Sequence, residues 1–234
     1  MKGFIRKWHQ RHSRQSAAAG FPPIKPLSEL LLSETRLVVL DLETNGFSVA
    51  KDDVVAIGAV AIEGGEIHLS DQVDLILRRP DVDIRDTVLI HGIGPQALSR
   101  GHDSAEAFRY LLNWINGDPL LAYCVPFDQP FLEKALRKQL KYRQNHGWLD
   151  VELMLPMVFP QQRLRRKSLD DWAEYFGLQV SERHNAAADA MVTAELTLIA
   201  LHYAQQQGIK TVAELSDCLQ VQRKLHNLSF LSPS

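Results

Sequence analysis

Four carboxylates and one histidine lie in three short runs between residues 41 and 189. Asp41 and Glu43 end the apolar run Val-Val-Leu-Asp-Leu-Glu-Thr-Asn-Gly (38 to 46), Asp128 closes Ala-Tyr-Cys-Val-Pro-Phe-Asp (122 to 128), and His184 and Asp189 bracket His-Asn-Ala-Ala-Ala-Asp. Acids at the end of a buried strand, or among alanines on a helix, are costly to bury unless positive charge meets them. A pair of hard divalent cations supplies that charge economically, and the chemistry such a pair suits is phosphodiester hydrolysis. Asp41 and Glu43, two residues apart on a strand, leave the same face and repel each other, an arrangement that a turn alone does not require. Asp128 sits where a strand hands over to a helix; alone it reads as an acid favoured by the helix dipole. Ala186, Ala187, Ala188 and Ala190 let a helix approach a sheet closely, which turns Asp189 inward and leaves His184 on the preceding loop.

The elements that must position these groups are legible in outline. Leu37 to Leu40 reads as a strand buried on both faces, Asp53 to Ile62 as a second, and Gly64-Gly65 as a turn into a third from Glu66 to about Leu77. Pro80 to Gly101 reads as loop-rich and holds Ile-His-Gly-Ile (90 to 93). A helix from Ser104 ends at Gly117-Asp118-Pro119, Leu120 to Cys124 reads as a fourth strand, Asp128 to Leu140 as a helix, and Leu149 marks a fifth strand. Ser168 caps a helix that Gly177 terminates, a long Ala/Leu helix runs from Asn185 or Ala186 to Gln206, and residues 211 to 226 form a last, amphipathic one. Three strands followed by alternating helices and strands predict an α/β fold with a mixed five-stranded sheet flanked by helices.

Length and composition bound the rest. A chain of 234 residues, 45% hydrophobic and 23% charged, suits one domain with a full core. We expect residues 1–33 to be a basic, proline-containing extension, 34–207 the catalytic domain, and 208–234 a C-terminal helix and tail. No run reaches the roughly 18 to 20 apolar residues of a membrane span. Cys124 and Cys218 make neither a disulfide framework nor a thiolate metal site, so the expectation is a reduced, cytoplasmic protein without a membrane partner. A net charge of -2 argues against coating long nucleic acid and for holding a polyanion locally, at a chain end. Arg163, Arg165, Arg166 and Lys167 form a basic run that reads equally as a solvated loop or as a track for a phosphate backbone. A Ser-His-Asp triad lacks its Gly-x-Ser-x-Gly elbow, and no His/Cys pair has zinc spacing.

Asp-x-Glu-Thr-x-Gly, then Phe-Asp after an apolar strand, then His-x-Ala-x-x-Asp, resembles the three motifs of the DEDDh-type 3'-5' exonucleases over roughly residues 36 to 205. This superfamily includes the proofreading epsilon subunit of DNA polymerase III, ribonuclease T and oligoribonuclease. The resemblance implies a ribonuclease H-like fold and release of nucleoside 5'-monophosphates from a 3' end. It implies that Asp41, Glu43, Asp128 and Asp189 hold two Mg²⁺ or Mn²⁺ ions and that His184 is the general base. It further implies substrate contacts from Thr44 and His91; Phe47 and Tyr123 could stack a base, although core packing is the commoner fate of either. Many members have His-Asn ahead of Phe-Asp where this chain has Tyr123 and Cys124, which bears on substrate preference. Single-stranded DNA is the first candidate substrate, with RNA or short oligonucleotides as the alternative. A non-catalytic binding module of a polymerase or repair complex is the reading from another class. No clamp-binding motif is visible and the tail after Gly208 is short, so a free-standing enzyme is expected; nothing marks an oligomeric surface.

Overall fold

Leu37–Thr44 forms strand β1, and its first four side chains are wholly buried, each stabilising the fold by about 1.5–3 kcal/mol. In this computed structural model, which describes residues 20–27, 30–82, 87–162, 168–180 and 183–231, β1 is the centre of the sheet. Val54–Glu63 (β2) pairs antiparallel with β1, and Glu66–Ile76 (β3) pairs antiparallel with β2. Gly64 and Gly65 join them with φ of +62° and +80°, a turn that residues with a Cβ resist. Leu120–Ala122 (β4) lies parallel to β1, and Trp148–Asp150 (β5) lies parallel to β4. The order β3-β2-β1-β4-β5 is the expected mixed five-stranded sheet of a ribonuclease H-like fold.

Helices cover both faces. Alternate residues of β1 point to opposite sides, and the two hydrophobic clusters divide accordingly. Leu37 and Val39 join Trp172, Ala190, Ala194 and Leu196 on one side. Val38, Leu40 and Leu42 join Phe108, Leu111 and Phe131 on the other. Along the chain the helices are Val88–His91 (α1), Pro95–Arg100 (α2), Ser104–Ile115 (α3), Val125–Leu140 (α4), Val151–Val158 (α5), Leu169–Phe176 (α6), Ala186–Gln206 (α7) and Val212–Leu231 (α8). Asp103 caps α3, while α6 carries a reciprocal capping box between Ser168 and Asp171 and ends at Gly177 in the left-handed region.

Several element boundaries differ from the sequence reading. The fourth strand ends at Ala122 and the helix after it starts at Val125, three residues before Asp128. Pro126 is tolerated there because the first turn of a helix needs no backbone donor. The loop-rich stretch from 80 to 101 contains α1 and α2, and α5 follows β5 directly. Residues 1–19 and the basic run at 163–167 lie outside the described residues. Among the described residues, no helix is long and apolar enough to cross a membrane.

Candidate active site

Strand parity decides which acids meet. Asp41 and Glu43 share parity with Leu37 and Val39, so they emerge on the face that α7 covers. Asn185 caps α7, its Oδ1 accepting from Ala188 N at 3.1 Å, and this places Asp189 in the first turn, buried against the strand. One ligand oxygen each from Asp41, Glu43 and Asp189 lies within 4.8 Å of the others. The helix comes this close because β2 offers Gly58 opposite Asp41; a Cβ at Gly58 would lie 2.0 Å from the Ala186 carbonyl carbon.

Asp128 reaches the site by a different route. Parallel pairing between β1 and β4 covers only Val38↔Leu120 and Val39↔Leu121, so the edge of β1 beyond it is left open toward α4. Asp128 Oδ1 accepts from Leu42 N there, at 3.1 Å, between the two acids of β1. Asp128 is buried on the flank of the trio, near enough that the charges of Asp41 and Glu43 act on it.

The electrostatics are those of a site short of positive charge. Burial first, and then the Asp189 charge, pushes the Asp41 carboxyl up to about 8, with Arg183 opposing. Burial, Asp41 and Asp189 push Glu43 up to about 8 as well. Asp128 is raised well above the ordinary carboxylate range by burial and Asp41, against the hydrogen bond from Leu42. Ionised together, these groups need a compensating cation, and a set of carboxylate oxygens selects a hard divalent ion.

His184 is exposed on the turn before α7, in the left-handed region at φ +59°, and its backbone N donates to Asp189 Oδ2 at 3.1 Å. His91, at the end of α1, is 9% exposed; its Nδ1 accepts from Ile93 N at 3.1 Å, and its Nε2 is buried with no hydrogen-bond partner among the described residues. Burial, and then the nearby His184, lowers the pKa of His91, which favours the neutral ring; with Nδ1 accepting from Ile93 N, the proton of that neutral ring sits on Nε2. The Thr44 hydroxyl donates to the Gly46 carbonyl at 2.7 Å and shapes the turn that presents Phe47. Phe47 is 77% exposed, its ring centroid 6.4 Å from that of Phe127, beside Asp128. Lys134 and Lys138 of α4 pin the base of the same loop through Asp53 at 3.1 and 2.8 Å. Tyr123 packs partly buried against the core, and burial, then Glu152 and Asp171, raise the pKa of its hydroxyl.

Two groups in the site escape the motif pattern. Arg183 forms ion pairs with both Asp189 and Asp170 of α6. Gly58 carries no chemistry, yet permits the helix approach. The Arg183 signal was present as a lone cation directly before His184; Gly58 became informative only once its strand partner was known.

The family model described as Exonuclease (RNase_T) matches residues 38–197, a span that contains every one of these acids. The PolC-type DNA polymerase III of Caldanaerobacter subterraneus subsp. tengcongensis is 30% identical over 201 residues, which covers 86% of this chain and 14% of that protein. A DNA polymerase III subunit epsilon-like protein of Rhodobacter capsulatus is 30% identical over 190 residues, 79% of this chain and 26% of the relative. The chain thus spans a small part of the length of the curated relatives it matches. Among solved structures, E. coli exonuclease I in complex with a dT13 oligonucleotide superposes with a TM-score of 0.64 at 17% identity, over 74% of this chain and 42% of that one.

Proposed function

The chain belongs to the exonuclease family, of DEDDh type, and from that premise we propose that it is a metal-dependent 3'-5' exonuclease. It removes nucleoside 5'-monophosphates from the 3' end of single-stranded nucleic acid, with DNA the favoured substrate. The observation that carries this reading is the convergence of Asp41, Glu43 and Asp189 to within 4.8 Å, with Asp128 on their flank. Relatives named as DNA polymerase III proteins, and a structural neighbour holding dT13, favour DNA over RNA.

Asp41, Glu43, Asp128 and Asp189 would hold two Mg²⁺ or Mn²⁺ ions. Such ions, when bound, polarise the scissile phosphate and acidify the attacking water. His184 takes the proton from that water at a ring nitrogen, held in place by its backbone bond to Asp189. The buried Nε2–H of His91 donates to the terminal nucleotide, which gives an otherwise unpaired donor its partner. Phe47 stacks a base near the 3' end, and the Thr44 turn fixes its position. Tyr123 and Cys124 set substrate preference from the β4–α4 junction. Residues 34–207 act as the catalytic body, with 1–33 and 208–234 as an extension and a C-terminal helix with its tail.

The test is digestion of 5'-labelled single-stranded DNA, RNA and dinucleotides with Mg²⁺ or Mn²⁺. A ladder shortening from the 3' end, with 5'-monophosphate release abolished by EDTA and by Asp41→Ala, is expected. Absence of release from every substrate with either ion would refute the assignment and leave the binding-module reading.

A further inference from the structure

We propose that Arg183 is an internal counter-ion that holds Asp189 in the ion-free protein and withdraws onto Asp170 when divalent cations bind. The inference rests on the metal-site reading above and adds a device that tunes it.

Both oxygens of Asp189 are engaged. Oδ2 accepts from the backbone N of His184, which is fixed by the cap of α7, and Oδ1 accepts from Arg183 Nη1. Of these two donors only the guanidinium can leave without unwinding the helix start. Arg183 has a second anchor ready, since its Nε already donates to Asp170 Oδ1 at the start of α6. The side chain spans a gradient of solvent: Asp189 is 7% exposed, Arg183 27% and Asp170 61%. Rotation of the guanidinium about its Nε end therefore keeps the outer ion pair and frees the inner oxygen.

Asp41 and Glu43 each bring a carboxylate oxygen to within 4.8 Å of one from Asp189, so the guanidinium on Asp189 lies beside all three acids. Arg183 thus stands in for part of the charge that a cation would bring to all three acids. A monovalent group at one ligand oxygen competes directly with a divalent ion there, because like charges at one site repel. Its position one residue before His184 places the exchange on the turn that carries the proposed base.

A purely structural ion pair predicts the same sign of effect whichever partner is removed. Here the signs are opposite. Mn²⁺ binding to the full chain is titrated calorimetrically at one fixed pH for all variants, with circular dichroism as the check on folding. Arg183→Gln removes the competitor and is expected to tighten Mn²⁺ binding by about tenfold. Asp170→Asn removes the outer anchor, leaves Arg183 on Asp189, and is expected to weaken binding by about threefold. Should Arg183→Gln not fold, Arg183→Met replaces it; it also removes the competing charge, so tighter binding of similar size is expected there too. Unchanged or weaker binding in the arginine variant, or unchanged or tighter binding in Asp170→Asn, overturns the proposal. Failure of the parent reading looks different: wild type that binds no Mn²⁺, or binds it equally after Asp41→Ala.

Discussion

Gly58 and Ala186 touch where a side chain would normally intervene: a Cβ at position 58 would lie 2.0 Å from both the carbonyl carbon and the carbonyl oxygen of Ala186. The obstruction is backbone, so no rotamer relieves it. Gly58 also faces Asp41 across β1 and β2, so the contact that sets the height of α7 sets the distance from Asp189 to its partner acid. Gly58→Ala should therefore cost about 1–3 kcal/mol of stability through overpacking and weaken metal binding as Asp189 is pushed away. Urea unfolding and a Mn²⁺ titration check the two effects, and wild-type values in both would show that the approach is not limiting.

Asp41 and Glu43 hold protons up to about 8 in the folded, ion-free protein, against ordinary values of 3.8 and 4.5. Between those limits the folded state binds more protons than the unfolded chain, so stability falls as pH rises. The contribution is fully present below about pH 4 and lost by the time pH passes the folded values. Divalent cations held by these acids would offset the trend, because a bound carboxylate is already ionised and metal binding releases its proton. Melting temperatures measured between about pH 4 and 9 should decline steeply in EDTA and much less in Mg²⁺ or Mn²⁺. Asp41→Asn should flatten the EDTA curve and abolish hydrolysis while the protein stays folded. Parallel curves with and without metal would contradict this account.

Much of this geometry was legible in the chain itself, for reasons that differ by residue. Asp41 and Glu43 announce their face by strand parity alone, and Asp189 announces its own by the alanines around it, because a close helix approach leaves room for little else. The sheet followed from the order of apolar runs. Other features were not legible because they depend on pairing between distant segments. The use of Asp128 on the Leu42 backbone follows from where β4 stops pairing with β1, and no local pattern marks that point. The start of α4 lies three residues before Asp128, and Pro126 in its first turn occupies a position that needs no donor. Arg183 stands outside any sequence pattern because a single cation in a loop carries no periodicity; its meaning comes from Asp170 and Asp189, which only the fold brings to it.

His184 separates two jobs on one residue. Its backbone N fixes Asp189, whereas its ring serves as the proposed base. His184→Asn keeps a residue that tolerates φ of +59° and removes the base. The expected result is a fall in kcat of about 10²–10⁴-fold, with Mn²⁺ affinity close to wild type. A variant that loses metal binding in proportion to activity would assign the residue to the scaffold instead.

Phe47 is the cheapest of the substrate-contact proposals to test, since little holds it for structural reasons. At 77% exposure it contributes little buried area, and its loop is secured independently by Asn45, which accepts from Asp53 N at 2.6 Å, and by the α4 lysines on Asp53. Phe47→Ala should leave the melting temperature and metal affinity unchanged, because neither the core nor the acids involve the ring. If the ring stacks a base, the loss should be about 1–3 kcal/mol in binding, read as a KM for single-stranded DNA raised roughly five- to a hundredfold. Stacking is tolerant of base identity, so the rise should be similar for oligo-dT and oligo-dA, and Phe47→Trp should restore it. An unchanged KM would leave the residue as an exposed aromatic with no part in substrate capture, and would shift attention to the buried Nε2 of His91 as the group that reads the 3' end.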